Sequence, residues 1–266
     1  MTPLTAYIEG IGLIGPGLPD WPAACAILCG QAAYDYQPAV LPAPASLPPA
    51  ERRRCGPIVK LTLAVGHAAA LAAQADVRDL ATVYTASGGD GVNCHEICAM
   101  LASDDRQISP TRFHNSVHNA ASGYWNIAAA SMASASVLCA YDASFGAGLL
   151  EAMVQVAADA TPVLLLACDT SYPEPIRAVR PIPGEFGIGL VLAPRQGPRS
   201  IARLQLAFAD APGQAMADAG LEFVRAQIPA ARSLPLLQAL ARGQAARVLV
   251  DYLDAGSLRL DVAPCN

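Results

Sequence analysis

The chain has 266 residues, 53% of them hydrophobic and 15% charged, which is long enough for a large buried core and too apolar for a disordered protein. A net charge of −5 and a single lysine, Lys60, argue against nucleic acid as a partner, and the one basic run, Arg52 to Arg54, is expected in a solvated loop. The mean hydropathy of +0.34 is high for a monomer, so burial against another subunit is expected.

The start of the chain lacks the features of a secretory signal, because residues 1–9 contain no basic segment and no long apolar segment. A cytoplasmic location is therefore expected, with the eight cysteines reduced. Residues 113–141 contain no Asp, Glu, Lys or Arg, but their His, Asn and Ser side chains make them too polar for a spanning helix. No membrane partner is predicted.

The first 75 residues alternate apolar segments with Gly and Pro. Residues 6–15 predict a buried strand, and Asp20 is placed to cap a helix that runs through Cys29. Five prolines within residues 37–50 forbid a regular element, so an extended excursion is expected there. A helix over residues 57–75 follows.

The rest of the chain continues this alternation of strands and helices, which indicates an α/β fold with a sheet of parallel type, layered between helices on both faces. In chain order, the pattern predicts a strand over 82–86, helices over 92–102 and 115–130, a strand over 134–140, a helix over 143–158, strands over 163–168, 186–193 and 201–209, helices over 213–226 and 234–242, and two strands within 248–263 joined at Asp254, Ala255 and Gly256.

The segment from Ile108 to Glu151 carries most of the functional information. It runs through a helix and small residues into a strand, a turn and a second helix, and acyl-transfer enzymes display a nucleophilic Cys or Ser at such a turn. Here Cys139 lies beside the turn, and no histidine follows His118 to activate it. The pattern indicates a catalytic scaffold that has lost its chemistry, so no catalytic residue is expected.

The helix predicted over 115–130 and the uncharged strand after it indicate an obligate protein interface. Two histidines four residues apart would share a helix face, two aromatic residues would anchor a partner, and small residues would allow close backbone approach. The alternative is an ordinary buried helix and strand of a monomer. The predicted interface residues are His114, Asn115, His118, Asn119, Tyr124 and Trp125.

Cys139 carries the competing hypothesis of an acyltransferase or hydrolase that works alone. With the register shifted by two residues it becomes the nucleophile, and His114 or His118 becomes its base. Asp142 would then orient the base or cap the following helix. The alternative for Cys139 is a small apolar strand residue, since cysteine is among the most buried residue types.

A metal site and a phosphate site are both considered and set aside. Cys94 and Cys98, followed by His114 and His118, imitate the ligand order of a zinc finger, but a chain with a large core needs no structural metal. The glycines of residues 88–91 lack the Lys-Ser/Thr pair of a phosphate-binding loop and predict a tight turn. Neither a metal nor a cofactor is expected.

Six segments of the chain resemble β-ketoacyl synthases of the thiolase-like fold, in the order found in that family. The resemblance covers about residues 5–195 and is strongest in HNSVHNAASGYW. It is closest to short, chain-length-factor-like proteins that carry the N-terminal half of a synthase and act in aryl polyene biosynthesis. The segments are IEGIGLIGPG, VYTASGGDG (83–91), ISPTRFHNSVHNAASGYWNIA, SVLCAYDASFGAGLLEA (136–152), LLLACDTSYPEP (164–175) and GEFGIGLVLA (184–193).

This resemblance implies a fold, a division into domains and a partner. The fold would be the thiolase-like N-terminal half, with residues 1–199 as the synthase-like domain and residues 200–266 as an α/β extension packed on it. The protein would form a heterodimer with a full-length ketosynthase, and acyl carrier protein would reach it through that complex. The two catalytic histidines of a synthase lie in the half that is missing here.

The resemblance also assigns roles around the turn. Aligning the helix that starts near Ser144 places the family's nucleophilic cysteine at Tyr141, and a phenol there cannot form a thioester. Tyr141, Phe145 and Met132 would then line the acyl tunnel, where Tyr141 would limit how deep a growing chain reaches. A homodimeric binder of acyl chains is a third, less favoured hypothesis.

Overall fold

Eight strands form one sheet in the computed structural model, which describes residues 3–253 and 256–265. The strands are β1 (Leu4–Ile14), β2 (Ala81–Thr85), β3 (Ala135–Leu138), β4 (Val163–Asp169), β5 (Phe186–Ala193), β6 (Ala202–Ala209), β7 (Ala246–Asp251) and β8 (Ser257–Pro264). The helices are α1 (Trp21–Leu28), α2 (Pro49–Arg52), α3 (Pro57–Ala73), α4 (Gly91–Leu101), α5 (Pro110–His114), α6 (Ala120–Ala129), α7 (Ser144–Asp159), α8 (Ile176–Val179), α9 (Ala219–Gln227) and α10 (Leu234–Arg242), with 3₁₀ turns at Tyr141–Ala143 and Pro229–Ser233.

The strand order is β3-β2-β4-β5-β1-β6-β8-β7, and among neighbouring strands only the pairs β3–β2 and β2–β4 are parallel. The predicted parallel sheet is therefore wrong for the remaining strands, which pair antiparallel. Parallel neighbours need a long crossover, and full helices connect β2 to β3 and β3 to β4. Between β4 and β5 the chain forms only the one-turn helix α8, so the chain reverses direction there.

Helices cover both faces of this sheet, as the run of buried apolar residues in β4 and β5 predicts. On one face Leu165 and Ala167 of β4 join a core formed with α1, α7, α9 and α10. On the other face Leu164 and Leu166 pack with α3 and α6. Alternate residues of a strand point to opposite faces, so one strand supplies both cores.

Glycine lets α3 lie directly on β1. A Cβ at Gly12 would collide with the backbone carbonyl of Val65 in α3, and a Cβ at Gly10 would collide with that of Ala69. The residues between and beside them, Ile11 and Leu13, point to the opposite core. The sequence IEGIGLIG is thus a strand with one face reduced to backbone so that a helix can approach closely.

The final third of the chain extends the same sheet. β6 pairs with β1, and β8 pairs with β6, so the described part of residues 200–266 hydrogen bonds directly to the first strand. The division at residue 200 remains a prediction. β7 and β8 are the two strands predicted in the last segment; Asp254 and Ala255, proposed as their turn, lie outside the described residues.

No helix among the described residues has both the length and the apolarity that crossing a bilayer requires.

Candidate functional site

Tyr141 occupies the strand-to-helix turn between β3 and α7. Its backbone φ is +52°, the left-handed region that a bulky side chain rarely adopts. Three other non-glycine residues in the described chain have positive φ, and each of them ends a helix: Gln74, Ala130 and Ala160. Tyr141, in contrast, precedes a helix. The side chain is 62% exposed. The turn therefore displays a side chain outward, as in a nucleophile elbow, but the side chain is a phenol.

Hydrogen bonds hold this turn from the inside. The Ser144 hydroxyl donates to the carbonyl of Tyr141 at 2.7 Å and accepts from the backbone N–H of Ala140 at 3.1 Å. The hydroxyl of Thr85, at the end of β2, donates to the carbonyl of Ser144 at 2.9 Å. The start of α7 is thus tied to β2, the strand next to the edge strand β3.

Two arginines hold the turn from the outside. Asp142 accepts from Arg180 at 2.8 Å and from Arg232 at 3.3 Å, and the Arg180 guanidinium lies 3.7 Å from the centre of the Tyr141 ring. Arg232 also lies 3.5 Å from Asp251 in β7. Asp142 therefore neither caps α7 nor orients a base, the two predicted roles; it pairs with cations from two distant segments.

Cys139 is exposed, and its thiol donates to the carbonyl of Ser87 at 3.2 Å. A carbonyl cannot take the thiol proton, so this bond does not activate a nucleophile. The two proposed bases do not serve it: His114 is exposed at the end of α5, and the buried Nε2 of His118 has no hydrogen-bond partner among the described residues. Cys139 lacks the hydrogen-bonded imidazole that its proposed chemistry needs.

The helix predicted over 115–130 is broken in the structure, which is a correction to the predicted surface. Helix α5 ends at His114 and α6 begins at Ala120, so His114 and His118 do not share a helix face. The break is held by Asn115, whose amide donates to the carbonyl of Arg54 at 2.9 Å and accepts from the hydroxyl of Tyr124 at 3.2 Å. Asparagine favours such bonds over helix continuation.

Burial corrects three further assignments. Trp125 is fully buried against Gly66 and His67 of α3, and Tyr124 is buried beside it, so neither ring is a free anchor for a partner. Phe145 is fully buried in the core under α7 and lines no open surface in this structure. Met132, in contrast, is 98% exposed, and Asn119 is exposed at the start of α6.

The exposed apolar residues of this region are ones that the sequence interpretation missed. Phe113, Val117 and Ile127 are 69%, 53% and 50% exposed, and they line a groove of about 510 Å³ between α5 and α6. Helix α4 lies beside α5 and buries only Gly91 and Asn93, which leaves much of an apolar helix uncovered. We call this surface the α4–α6 face; its exposed apolar residues are Val92, Leu101, Phe113, Val117 and Ile127.

The residues weighed as metal ligands do not form a cluster. Cys94 and Cys98 lie exposed on α4, while His114 and His118 lie at the end of α5 and after it. Within residues 3–253 and 256–265, no three His, Cys, Asp or Glu side chains group as a metal site.

Asp169, at the end of β4, is a buried carboxylate near the turn. It accepts from the backbone N–H and hydroxyl of Ser87 at 2.8 and 2.6 Å and from the backbone N–H of Ala230 at 2.8 Å. Burial raises its pKa from 3.8 to about 6, although these hydrogen bonds lower the pKa in part. The residue links β2, β4 and the 3₁₀ turn at Pro229–Ser233.

The raised pKa of Asp169 predicts a pH-dependent stability. Between pH 4 and 6 the native state retains a proton that the unfolded chain has lost, so the free energy of unfolding falls as pH rises. We expect the ionisation of Asp169 to lower the free energy of unfolding by about 2 kcal/mol between about pH 4.5 and 6.5. Urea unfolding of the wild type and of Asp169→Asn at both pH values measures it. An identical pH dependence in the two proteins would contradict the assignment.

Comparison with known proteins supports this architecture. The chain matches the model of the family described as beta-ketoacyl synthase, N-terminal domain, over residues 29–251. No curated protein matches the chain.

Three solved structures share the fold over nearly their full chains. One is a ketosynthase (ApeO) in complex with its chain length factor (ApeC) from Xenorhabdus doucetiae, at 24% identity and a TM-score of 0.75, covering 97% of this chain and 99% of that chain. The second is AntDE:AntF, described as a type II PKS acyl-carrier protein in complex with its ketosynthase bound to the hexaketide. It has 13% identity and a TM-score of 0.77, and the match covers 99% of this chain and 100% of that chain. The third is the ishigamide ketosynthase/chain length factor, with 13% identity and a TM-score of 0.74; the match covers 98% of this chain and 100% of that chain. The predicted thiolase-like fold is confirmed.

Proposed function

Because this chain belongs to the family of beta-ketoacyl synthase N-terminal domains, we propose that it is a chain-length-factor-like subunit that pairs with a full ketosynthase and does not itself catalyse condensation. The observation that carries the proposal is Tyr141 at the displayed strand-to-helix turn, the place where a nucleophile would stand. A phenol has no sulfur, so it cannot form the thioester intermediate of acyl transfer.

Condensation with loss of CO₂ also needs hydrogen-bond donors, usually imidazoles, for the developing enolate and the departing carboxylate. All four histidines of the chain precede residue 119, and none is hydrogen bonded near the Tyr141 turn among the described residues. The catalytic cysteine and histidines would therefore come from the partner, together with one wall of the acyl tunnel.

The α4–α6 face supports a protein partner. Four of its uncovered apolar residues lie on the consecutive helices α4, α5 and α6, and Val117 lies in the turn between α5 and α6. The edge strand β3, which follows α6, pairs within the described chain with β2 alone. An exposed apolar surface and an unpaired strand edge each promote aggregation unless another subunit covers them. The solved structures of the same fold include complexes described as ketosynthase with chain length factor.

Within the complex, Tyr141 and Met132 would contribute to the wall of the tunnel and limit the length of an acyl chain carried by acyl carrier protein. Both side chains project from the subunit, one from the turn and one from the segment before β3. The substrate proposed from the family resemblance is a growing aryl polyene chain. The role of Tyr141 rests on the volume of its ring at the end of the tunnel.

Co-expression with a ketosynthase of the same organism tests the partnership. We expect a stable heterodimer by native mass spectrometry, with an interface of more than about 2,000 Å², and poor solubility or a homodimer when the chain is made alone. A soluble monomer that does not bind the ketosynthase would contradict the proposal.

Tyr141→Ala tests the length limit. In the reconstituted heterodimer, this change opens space at the end of the tunnel, so the product distribution should shift toward longer chains by at least one extension unit. Tyr141→Phe keeps the ring and should leave the distribution unchanged. Liquid chromatography with mass spectrometry of the released products measures both. Equal product lengths for wild type and Tyr141→Ala would remove Tyr141 from this role.

A further inference from the structure

The Tyr141 ring is held by a side chain from a different part of the chain. Arg180 follows helix α8, between β4 and β5, and its guanidinium lies 3.7 Å from the centre of the Tyr141 ring. The Arg180 side chain is 18% exposed, whereas Tyr141, whose ring it covers, is 62% exposed. One face of the ring therefore packs against a cation while most of its surface remains open to solvent or to a partner.

Arg180 is itself fixed in place. Its guanidinium donates to Asp142 at 2.8 Å, and Asp142 is the residue directly after Tyr141. The same carboxylate accepts from Arg232, which also lies 3.5 Å from Asp251, and Asp251 accepts from Arg225 of α9 at 2.7 Å. A chain of charges thus runs from the turn into the last third of the protein.

Different contacts fix the backbone of the turn and the orientation of the Tyr141 side chain. The hydrogen bonds of Ser144 fix the backbone conformation, but they do not touch the Tyr141 ring. An exposed tyrosine normally exchanges between rotamers. Here one rotamer is favoured because the planar guanidinium stacks on it, and a planar cation suits this role better than a flexible ammonium.

We propose that Arg180 is a positioning residue that holds the Tyr141 ring in the orientation that stops the acyl chain, an inference that rests on the proposed function. Asp142 and Arg232 act through Arg180 by fixing its guanidinium. Part of the role of residues 200–266 is therefore to fix Asp142 and, through it, the Arg180 guanidinium, because Arg232 and Asp251 both belong to that segment.

The test uses the heterodimer and the product-length assay with four variants: Arg180→Leu, Arg180→Lys, Tyr141→Ala and the double variant Arg180→Leu/Tyr141→Ala. Without the stacked guanidinium, we expect the fraction of products longer than those of the wild type to rise about twofold to fivefold in Arg180→Leu. Arg180→Lys keeps the charge opposite Asp142 and should give a smaller rise. In the Tyr141→Ala background, loss of Arg180 should change nothing, because there is no ring to hold.

Heterodimer affinity and thermal unfolding are measured for each variant, which separates positioning from general loss of structure. If Arg180→Leu fails to fold, Arg180→Lys carries the same comparison against Tyr141→Ala. Unchanged lengths in the Arg180 variants, with longer products in Tyr141→Ala, overturn this inference alone. An equal shift from Arg180→Leu with and without Tyr141 overturns it as well. Unchanged lengths in Tyr141→Ala overturn both this inference and the tunnel role of Tyr141.

Discussion

Replacing Phe113 with Asp is expected to weaken the heterodimer at least about 100-fold in dissociation constant. Phe113 is 69% exposed and lines the groove between α5 and α6, so the ring would be buried only when a partner covers it. A carboxylate there would have to be desolvated without a partner charge. The same exposure means that the fold should tolerate the change. Dissociation of the purified heterodimer on dilution, followed by native mass spectrometry, measures the affinity, and circular dichroism of the same complex checks the fold.

Phe208→Asp provides a matched control for this experiment. Phe208 is 64% exposed but lies on β6, four strands away from β2 and towards the opposite edge of the sheet from β3. Its ring packs near that of Tyr252. The control should bind the ketosynthase as tightly as the wild type. If Phe208→Asp lowers the affinity as much as Phe113→Asp does, or if neither has an effect, the α4–α6 face is not the interface.

Trp125→Ala is expected to lower the free energy of unfolding by about 3–5 kcal/mol, through a direct effect on the subunit. The Trp125 ring is fully buried between α6 and α3, where it packs against Gly66, so its removal leaves a large cavity. Urea unfolding of the isolated chain, or of the heterodimer if the chain alone is insoluble, measures the change.

Two controls distinguish a core residue from an interface anchor. Trp125→Phe retains an aromatic ring and also removes an indole N–H that has no hydrogen-bond partner among the described residues, so its cost should be well below that of Trp125→Ala. Phe113→Ala, on the exposed face, should change stability by less than about 0.5 kcal/mol. If Trp125→Ala weakens ketosynthase binding while leaving subunit stability unchanged, the ring belongs to the interface after all.

The existence of most strands and helices was predictable from periodicity, but the direction of the strands was not. The apolar runs of β4 and β5 look alike in sequence, and both are fully buried. Their relative direction depends on the connection between them, which contains prolines and only one turn of helix. Alternation of strand and helix patterns therefore suggested a parallel sheet where the chain in fact turns back.

The face that each aromatic residue of α6 presents was also misjudged, because the helix was predicted to start too early. Neighbours two residues apart point to nearly opposite sides of a helix, and here Trp125 points to α3 while Ile127 points to solvent. The break at Asn115 depends on the carbonyl of Arg54, 61 residues earlier. No local pattern in the sequence shows that contact.

At the candidate site, the turn and Tyr141 were predictable and the charges around them were not. A strand of small residues followed by Tyr141-Asp142 and a helix is a local signal. Arg180 and Arg232 reach Asp142 from 38 and 90 residues away in sequence. Their grouping is a product of the sheet order and of the packing of the last third of the chain, so only the folded structure reveals it.

The central claim, that this subunit retains a synthase fold without a reactive group, is tested most directly by the intact mass of both subunits after incubation of the heterodimer with an acyl thioester. We predict an added acyl group on the ketosynthase and none on this chain. An acyl adduct on this chain that disappears in Cys139→Ser would contradict the claim and establish a catalytic subunit.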